Sequence, residues 1–186
     1  MKETTLTALD HCGAHVIYAA LLADLLAERG VAPDALLSGT GIDADALRAI
    51  DGRLSARQYV ALIRNARKLS GDPALAFHLG LQLKLSTHGF LGFAAMSAST
   101  LGEALEVAAK YFRTRFEFIG LLYYRQQGYG VLEMTEVLPI GEAYPFMVET
   151  FMTSFGVMSV NLLGLVPPDI EVRRTCAKPP YFEEAV

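Results

Sequence analysis

The 186 residues predict an α+β domain, a helical N-terminal half followed by a small antiparallel sheet packed against a long apolar helix. Three observations predict it. Apolar residues recur at helical spacing through most of the first 112 positions, the period drops to two from Phe116 to Tyr124, and an apolar run then extends from Glu142 to Leu163.

The first stripe is Ile17, Leu21, Leu22 and Leu25, within a helix read from His11 to Arg29 and closed by Gly30. Pro33 to Leu37 reads as a short helix ended by Gly39 or Gly41, and Asp43 can cap another through Leu47. Ser55 and Gln58 have capping-box spacing, with Leu54 and Tyr59 at the staple positions. Tyr59, Leu62, Ile63, Ala66 and Leu69 follow on one face. Ser70-Gly71-Asp72-Pro73 stops that helix and starts the next, whose stripe is Leu75, Ala76, Leu79 and Leu83. Thr87-His88-Gly89 opens a short helix from Phe90 to Ser97. Thr100 and Glu103 form a second capping-box pair ahead of Leu101, Ala104, Leu105, Ala108 and Phe112.

In an extended reading Phe116, Phe118, Leu122 and Tyr124 point one way and Ile119, Leu121 and Tyr123 the other, which predicts a strand covered on both faces. Gln126 to Gly130 is turn-like, and Val131 to Leu138 completes a hairpin. The long helix carries Phe146, Met147, Thr150, Phe151, Met158 and Leu162 near one face and ends at Gly164 and Pro167-Pro168. Ile170 to Cys176 reads as a third strand. The chain is expected to be one domain over residues 1–186, cut short at its C-terminal end.

Composition narrows the function classes. Hydrophobic residues make up 52% and charged residues 19%, which excludes disorder. The net charge is -4 and the 16 Lys and Arg are scattered, so no basic stripe for direct nucleic-acid binding is present. Glu149, Thr150, Thr153, Ser154, Ser159 and Asn161 interrupt the apolar run, which argues for a core helix and against a membrane span. Two cysteines, Cys12 and Cys176, cannot build a disulfide framework, and a cytoplasmic setting follows.

The stretch Gly71-Asp72-Pro73-Ala74-Leu75-Ala76-Phe77-His78-Leu79-Gly80 resembles a segment of the AraC-type transcription regulators that carry an arabinose-binding-like N-terminal domain, the group that includes ornithine-utilisation regulators. His88-Gly89-Phe90-Leu91-Gly92-Phe93, Thr100-Leu101-Gly102-Glu103-Ala104-Leu105, Tyr111-Phe112 and Pro179-Pro180-Tyr181 extend the resemblance in the same order. It implies a domain that senses a small effector and forms a homodimer, with DNA gripped only by a C-terminal helix-turn-helix domain outside this sequence. A ligand-free oligomerisation module and a small-molecule enzyme are the alternative readings.

No catalytic set accompanies the chain. His88 stands without a nucleophile motif and reads as a cap or packing residue. His11 and His15 are one helical turn apart with Cys12 between them, but a metal site needs three or four ligands, so neither metal nor cofactor is expected. The aromatic and methionine residues of the hairpin and long helix suggest an apolar pocket between them. Its candidate ligand contacts are Phe116, Tyr124, Arg115, Met147, Phe151 and Phe155, with Arg113, Glu133, Glu149 and Asn161 as further polar anchors. An apolar or amphipathic acid suits that inventory, and an amino acid is the competing effector.

Overall fold

A computed structural model describes residues 2–163 and, beyond them, residues 171, 173, 175 and 181. The element order is α1 (Lys2–His11), β1 (Gly13–His15), α2 (Ile17–Glu28), α3 (Pro33–Leu37), β2 (Arg53–Ser55), α4 (Ala56–Ser70), α5 (Leu75–Gln82), α6 (Phe90–Met96), α7 (Leu101–Tyr111), β3 (Ile119–Gln126), β4 (Tyr129–Glu136) and α8 (Ala143–Leu163). Short 3₁₀ segments at Ala44–Arg48, Leu85–His88 and Phe112–Thr114 connect them. The arrangement is α+β, as the periodicities predict.

The local signals act where they stand. Ser55 accepts from the Gln58 amide while the Gln58 side chain accepts from the Ser55 amide, and Gly71 closes α4 in the left-handed conformation. Thr100 caps α7 by accepting from Glu103 N, but the Glu103 carboxylate reaches Ser99 N in place of Thr100 N. Asp43 caps the 3₁₀ segment that follows it. The helix α5 begins at Leu75, two residues beyond the expected Pro73 start, because Asp72 caps the turn by accepting from Ala74 N at 2.8 Å.

The single helix expected from His11 to Arg29 is instead broken. Residues 13–15 form β1, antiparallel to β2 with Gly13 opposite Ser55 and His15 opposite Arg53. A side chain on Gly13 would press on the Leu54 carbonyl oxygen at 2.7 Å, so glycine permits the pairing. The other edge of β1 meets the segment before β3: His15 N donates to Arg115 O and Glu117 N to Gly13 O, each at 2.9 Å. Arg53 bridges to the Glu117 carboxylate at 2.8 Å and closes this three-way junction.

The core gathers around that junction. Tyr18, Tyr59, Phe112, Phe116, Phe118 and Phe151 are buried, and the Phe116 ring lies 4.5 Å from Tyr18 and 5.0 Å from Phe151 between centroids. Ring pairs at this spacing add about 0.5–1.5 kcal/mol each beyond area burial.

The strand β3 pairs with β4 through a two-residue turn, Gln127 and Gly128, both at positive φ. Coverage on both faces holds only for its beginning: Phe116, Phe118, Ile119 and Leu121 are buried, whereas Leu122 and Tyr124 are exposed. The hairpin outruns the core, so among the described residues its distal half has no layer on that face. The sheet meets α8 at the helix's first turns, where Tyr144 donates to the Met134 carbonyl at 2.9 Å. The main packing partner of α8 is α5. The third strand expected at residues 170–176 and the Pro179-Pro180 motif lie outside the described residues.

Candidate functional site

A cavity of about 50 Å³ opens between α6, α7 and the C-terminal half of α8. Leu91, Gly92 and Ala95 line it from α6, and Leu101, Ala104, Leu105 and Ala108 from α7. Phe112 closes one end, and Phe155, Met158 and Ser159 form the α8 wall. The stripe that the sequence marks as the buried face of α7 is therefore a cavity wall. The space persists because Ala95, Ala104 and Ala108 are too small to fill it.

One polar side chain on the wall is deeply buried. His88, 5% exposed, lies at the end of the 3₁₀ turn ahead of α6. Gly89 follows it at φ 59 and ψ -134, a conformation that side chains resist, and this lets the chain turn sharply into α6. The His88 Nδ1 lies 2.8 Å from the Tyr18 hydroxyl. Arg115 Nε donates to the same hydroxyl at 3.3 Å, its guanidinium carbon is 5.6 Å from the Tyr18 ring centroid, and its other arm donates to Thr87 O at 3.4 Å. The junction described above sets Arg115 in place, since its carbonyl is pinned to β1.

Electrostatics set the protonation states. Burial, reinforced by the Arg115 charge, lowers the His88 pKa from 6.5 to about 4. Burial pushes the Tyr18 hydroxyl up to about 12 against the opposing pull of Arg115. At neutral pH the imidazole is neutral and the phenol protonated. His88 Nε2 is buried without a hydrogen-bond partner among the described residues.

The six expected ligand residues separate. Phe155 lines the cavity, and Arg115 stands behind it, two hydrogen bonds from His88 through Tyr18. Phe116, Met147 and Phe151 border a second gap of about 10 Å³ beside Tyr18 and Tyr59, room for one water at most. Phe151 is 2% exposed and surrounded by Tyr18, Phe112, Phe116 and Phe155 rings, which makes it core. Tyr124 is 40% exposed on the hairpin and donates to Glu133 at 3.3 Å, away from both spaces. The expected hairpin–helix pocket is thus packed, and the larger space lies one layer away. Among the other anchors, buried Glu149 accepts from the Tyr181 hydroxyl, Arg113 donates to Glu117 O, and Asn161 is exposed.

Sequence reasoning passed over His88 and missed Tyr18. Nothing in the pattern links residues 70 positions apart, and a histidine between Thr87 and Gly89 has the same appearance whether it caps a turn or lines a cavity. Among the described residues no group of three or more His, Cys, Asp or Glu could hold a metal ion, and His15 Nδ1 accepts from Ile17 N. No helix among them is long and apolar enough to cross a membrane.

An apolar cavity ending at a buried polar relay on an α+β scaffold is the form of a ligand-binding domain. Comparison with known proteins agrees: residues 30–186 match the arabinose-binding domain of AraC transcription regulators, N-terminal, and the chain belongs to that family. It is 36% identical over 161 residues to an ornithine utilization regulator of Pseudomonas aeruginosa, covering 84% of this chain and 46% of that protein. Uncharacterized HTH-type transcriptional regulators of Mycobacterium bovis and Mycobacterium tuberculosis are each 33% identical over 100 residues, 53% of this chain and 29% of theirs. The chain thus spans less than half the length of these curated relatives, all of which are named as regulators.

Proposed function

We propose that this domain senses a small effector in the α6–α7–α8 cavity and transmits its occupancy through a homodimer to a DNA-binding helix-turn-helix part of the same regulator. The observation that carries the reading is the cavity itself, apolar except for His88 and Ser159. The relatives' names support a role in transcription control, and the ornithine utilization regulator makes an amino acid one candidate effector. No convergent acid, base and nucleophile accompany His88, so sensing accounts for the site better than catalysis.

The helix α6 offers a route from ligand to dimer. Leu91, Gly92 and Ala95 face the cavity, whereas Phe90, Phe93 and Met96 are exposed, Phe90 at 93%. Exposed apolar side chains clustered on one short helix support a protein contact there. A ligand that shifts α6 changes that contact, and the coupling equals the difference in ligand affinity between the two dimer arrangements.

The test is a thermal-unfolding screen of the chain against amino acids, including ornithine, and small carboxylic acids, paired with sedimentation equilibrium of the wild type and Phe93→Glu. The expected result is at least one stabilising compound and a wild-type dimer that Phe93→Glu weakens. A dimer that binds no compound would instead support the ligand-free oligomerisation module.

A further inference from the structure

The cavity wall selects against charge. Among the described residues no Asp, Glu, Lys, Arg, Asn or Gln lines the space. The helix α6 and the stretch of α8 from Thr150 to Leu163 contain no charged residue at all. The helix α7 turns Glu103, Glu106 and Lys110 to solvent and Leu101, Ala104, Leu105 and Ala108 to the cavity.

The polar groups around the space are engaged or withdrawn. His88 Nδ1 bonds the Tyr18 hydroxyl and Nε2 is buried, so neither ring nitrogen is offered to a ligand. Arg115 donates to Tyr18 Oη and Thr87 O and does not reach the wall. At the start of α7, beside Leu101, Thr100 accepts from Glu103 N and the Glu103 carboxylate accepts from Ser99 N. That helix end is capped and already carries a negative charge. Ser159, half-buried on α8, is left as the one side chain of the described wall able to exchange a hydrogen bond with a ligand.

An ammonium or carboxylate placed here would lose its water and meet neither an opposite charge nor a set of directed donors. An aliphatic group gains from the same wall, by roughly a factor of four in affinity for each buried methylene. We infer that the cavity takes an uncharged aliphatic end of the effector and leaves any ionised group outside in solvent. A volume of about 50 Å³ holds on the order of four carbons, at one water-sized sphere each. This reading rests on the sensing function proposed above and narrows its effector. A chain charged at both ends, such as ornithine, has no end that can enter.

The experiment is a methyl carbon-13 NMR titration of the 186-residue chain with ethanol, 1-propanol, 1-butanol, 1-pentanol and ornithine. The alcohols are expected to shift the methyls of Leu91, Leu105 and Ala108 saturably, with affinity rising roughly fourfold per methylene as far as 1-butanol. The five-carbon chains of 1-pentanol and ornithine separate charge from length, and the alcohol is expected to bind at least tenfold tighter. Ala108→Leu fills the space from α7 and is expected to weaken 1-pentanol at least tenfold; the comparison of ligands on the wild type decides the matter even where that variant does not fold. Ornithine binding at the cavity methyls as tightly as 1-pentanol, affinity indifferent to alcohol length, no saturable alcohol binding, or binding unchanged by Ala108→Leu would overturn the inference. If the alcohols fail while a compound of the broader screen binds, the sensing function stands without it; if nothing binds, both fall.

Discussion

At the residue scale, His88 makes the folded state sensitive to acid. Its folded pKa, about 4, lies below the ordinary 6.5 of an unfolded chain. Between these values the unfolded chain binds the extra proton, so stability rises with pH through this window and is lost as pH falls from 6.5 toward 4. The full shift corresponds to about 3 kcal/mol. We predict that urea midpoints of the wild type fall more steeply than those of His88→Gln between pH 7 and pH 4, by up to about 3 kcal/mol; parallel midpoints would show that His88 is solvated. Phe151 sits at the other extreme, a side chain that the sequence marks as a ligand contact and the structure places in the core. Phe151→Ala is expected to cost about 3–5 kcal/mol in denaturant unfolding, and a loss below 1 kcal/mol would show a site far looser than its ring contacts imply. Both residues stand on apolar stretches, and whether such a residue packs or faces a space depends on the size of the groups opposite, which one-dimensional spacing does not contain.

At the scale of elements, the helices were legible because their signals are local. The box of Ser55 and Gln58, the stop at Gly71 and the stripe of α7 each lie within a few residues, and each acts where it stands. Ser55→Ala is expected to cost about 0.5–2 kcal/mol through the lost cap of α4, read as a shift in the denaturant midpoint. The strands β1 and β2 were not legible. They have three residues each, pair across some 40 positions and owe their existence to the junction with Arg115 and Glu117. The packing of α8 on α5 was hidden for a related reason. It depends on Gly80, where an added methyl would meet Thr150 O at 2.5 Å and Thr153 Cβ at 2.6 Å, and on Thr150 donating to the Ala76 carbonyl at 3.1 Å. Gly80→Ala gains helix propensity of about 1 kcal/mol and is nevertheless expected to lower the melting temperature, because backbone and side chain of α8 must both move. An unchanged or raised melting temperature would show that the two helices have slack between them.

At the scale of the whole molecule, charge and cavity bear on different parts of the proposed function. With a net charge of -4 and no basic stripe, the 186 residues are expected to bind duplex DNA negligibly at physiological salt, and tight, salt-sensitive binding in an anisotropy assay would contradict this. What they offer instead is a partly open apolar space whose walls include α6, the same short helix that exposes Phe90, Phe93 and Met96. In the proposed function, sensing and assembly share this one element. The central claim, that the effector occupies the space between α6, α7 and α8, is tested most directly by methyl carbon-13 NMR of the labelled chain titrated with a stabilising compound. The account predicts shifts concentrated at Leu91, Leu101, Leu105, Ala108 and Met158, with Leu122 and Val131 of the hairpin unmoved; saturable shifts confined to the hairpin, with the cavity methyls silent, would contradict it.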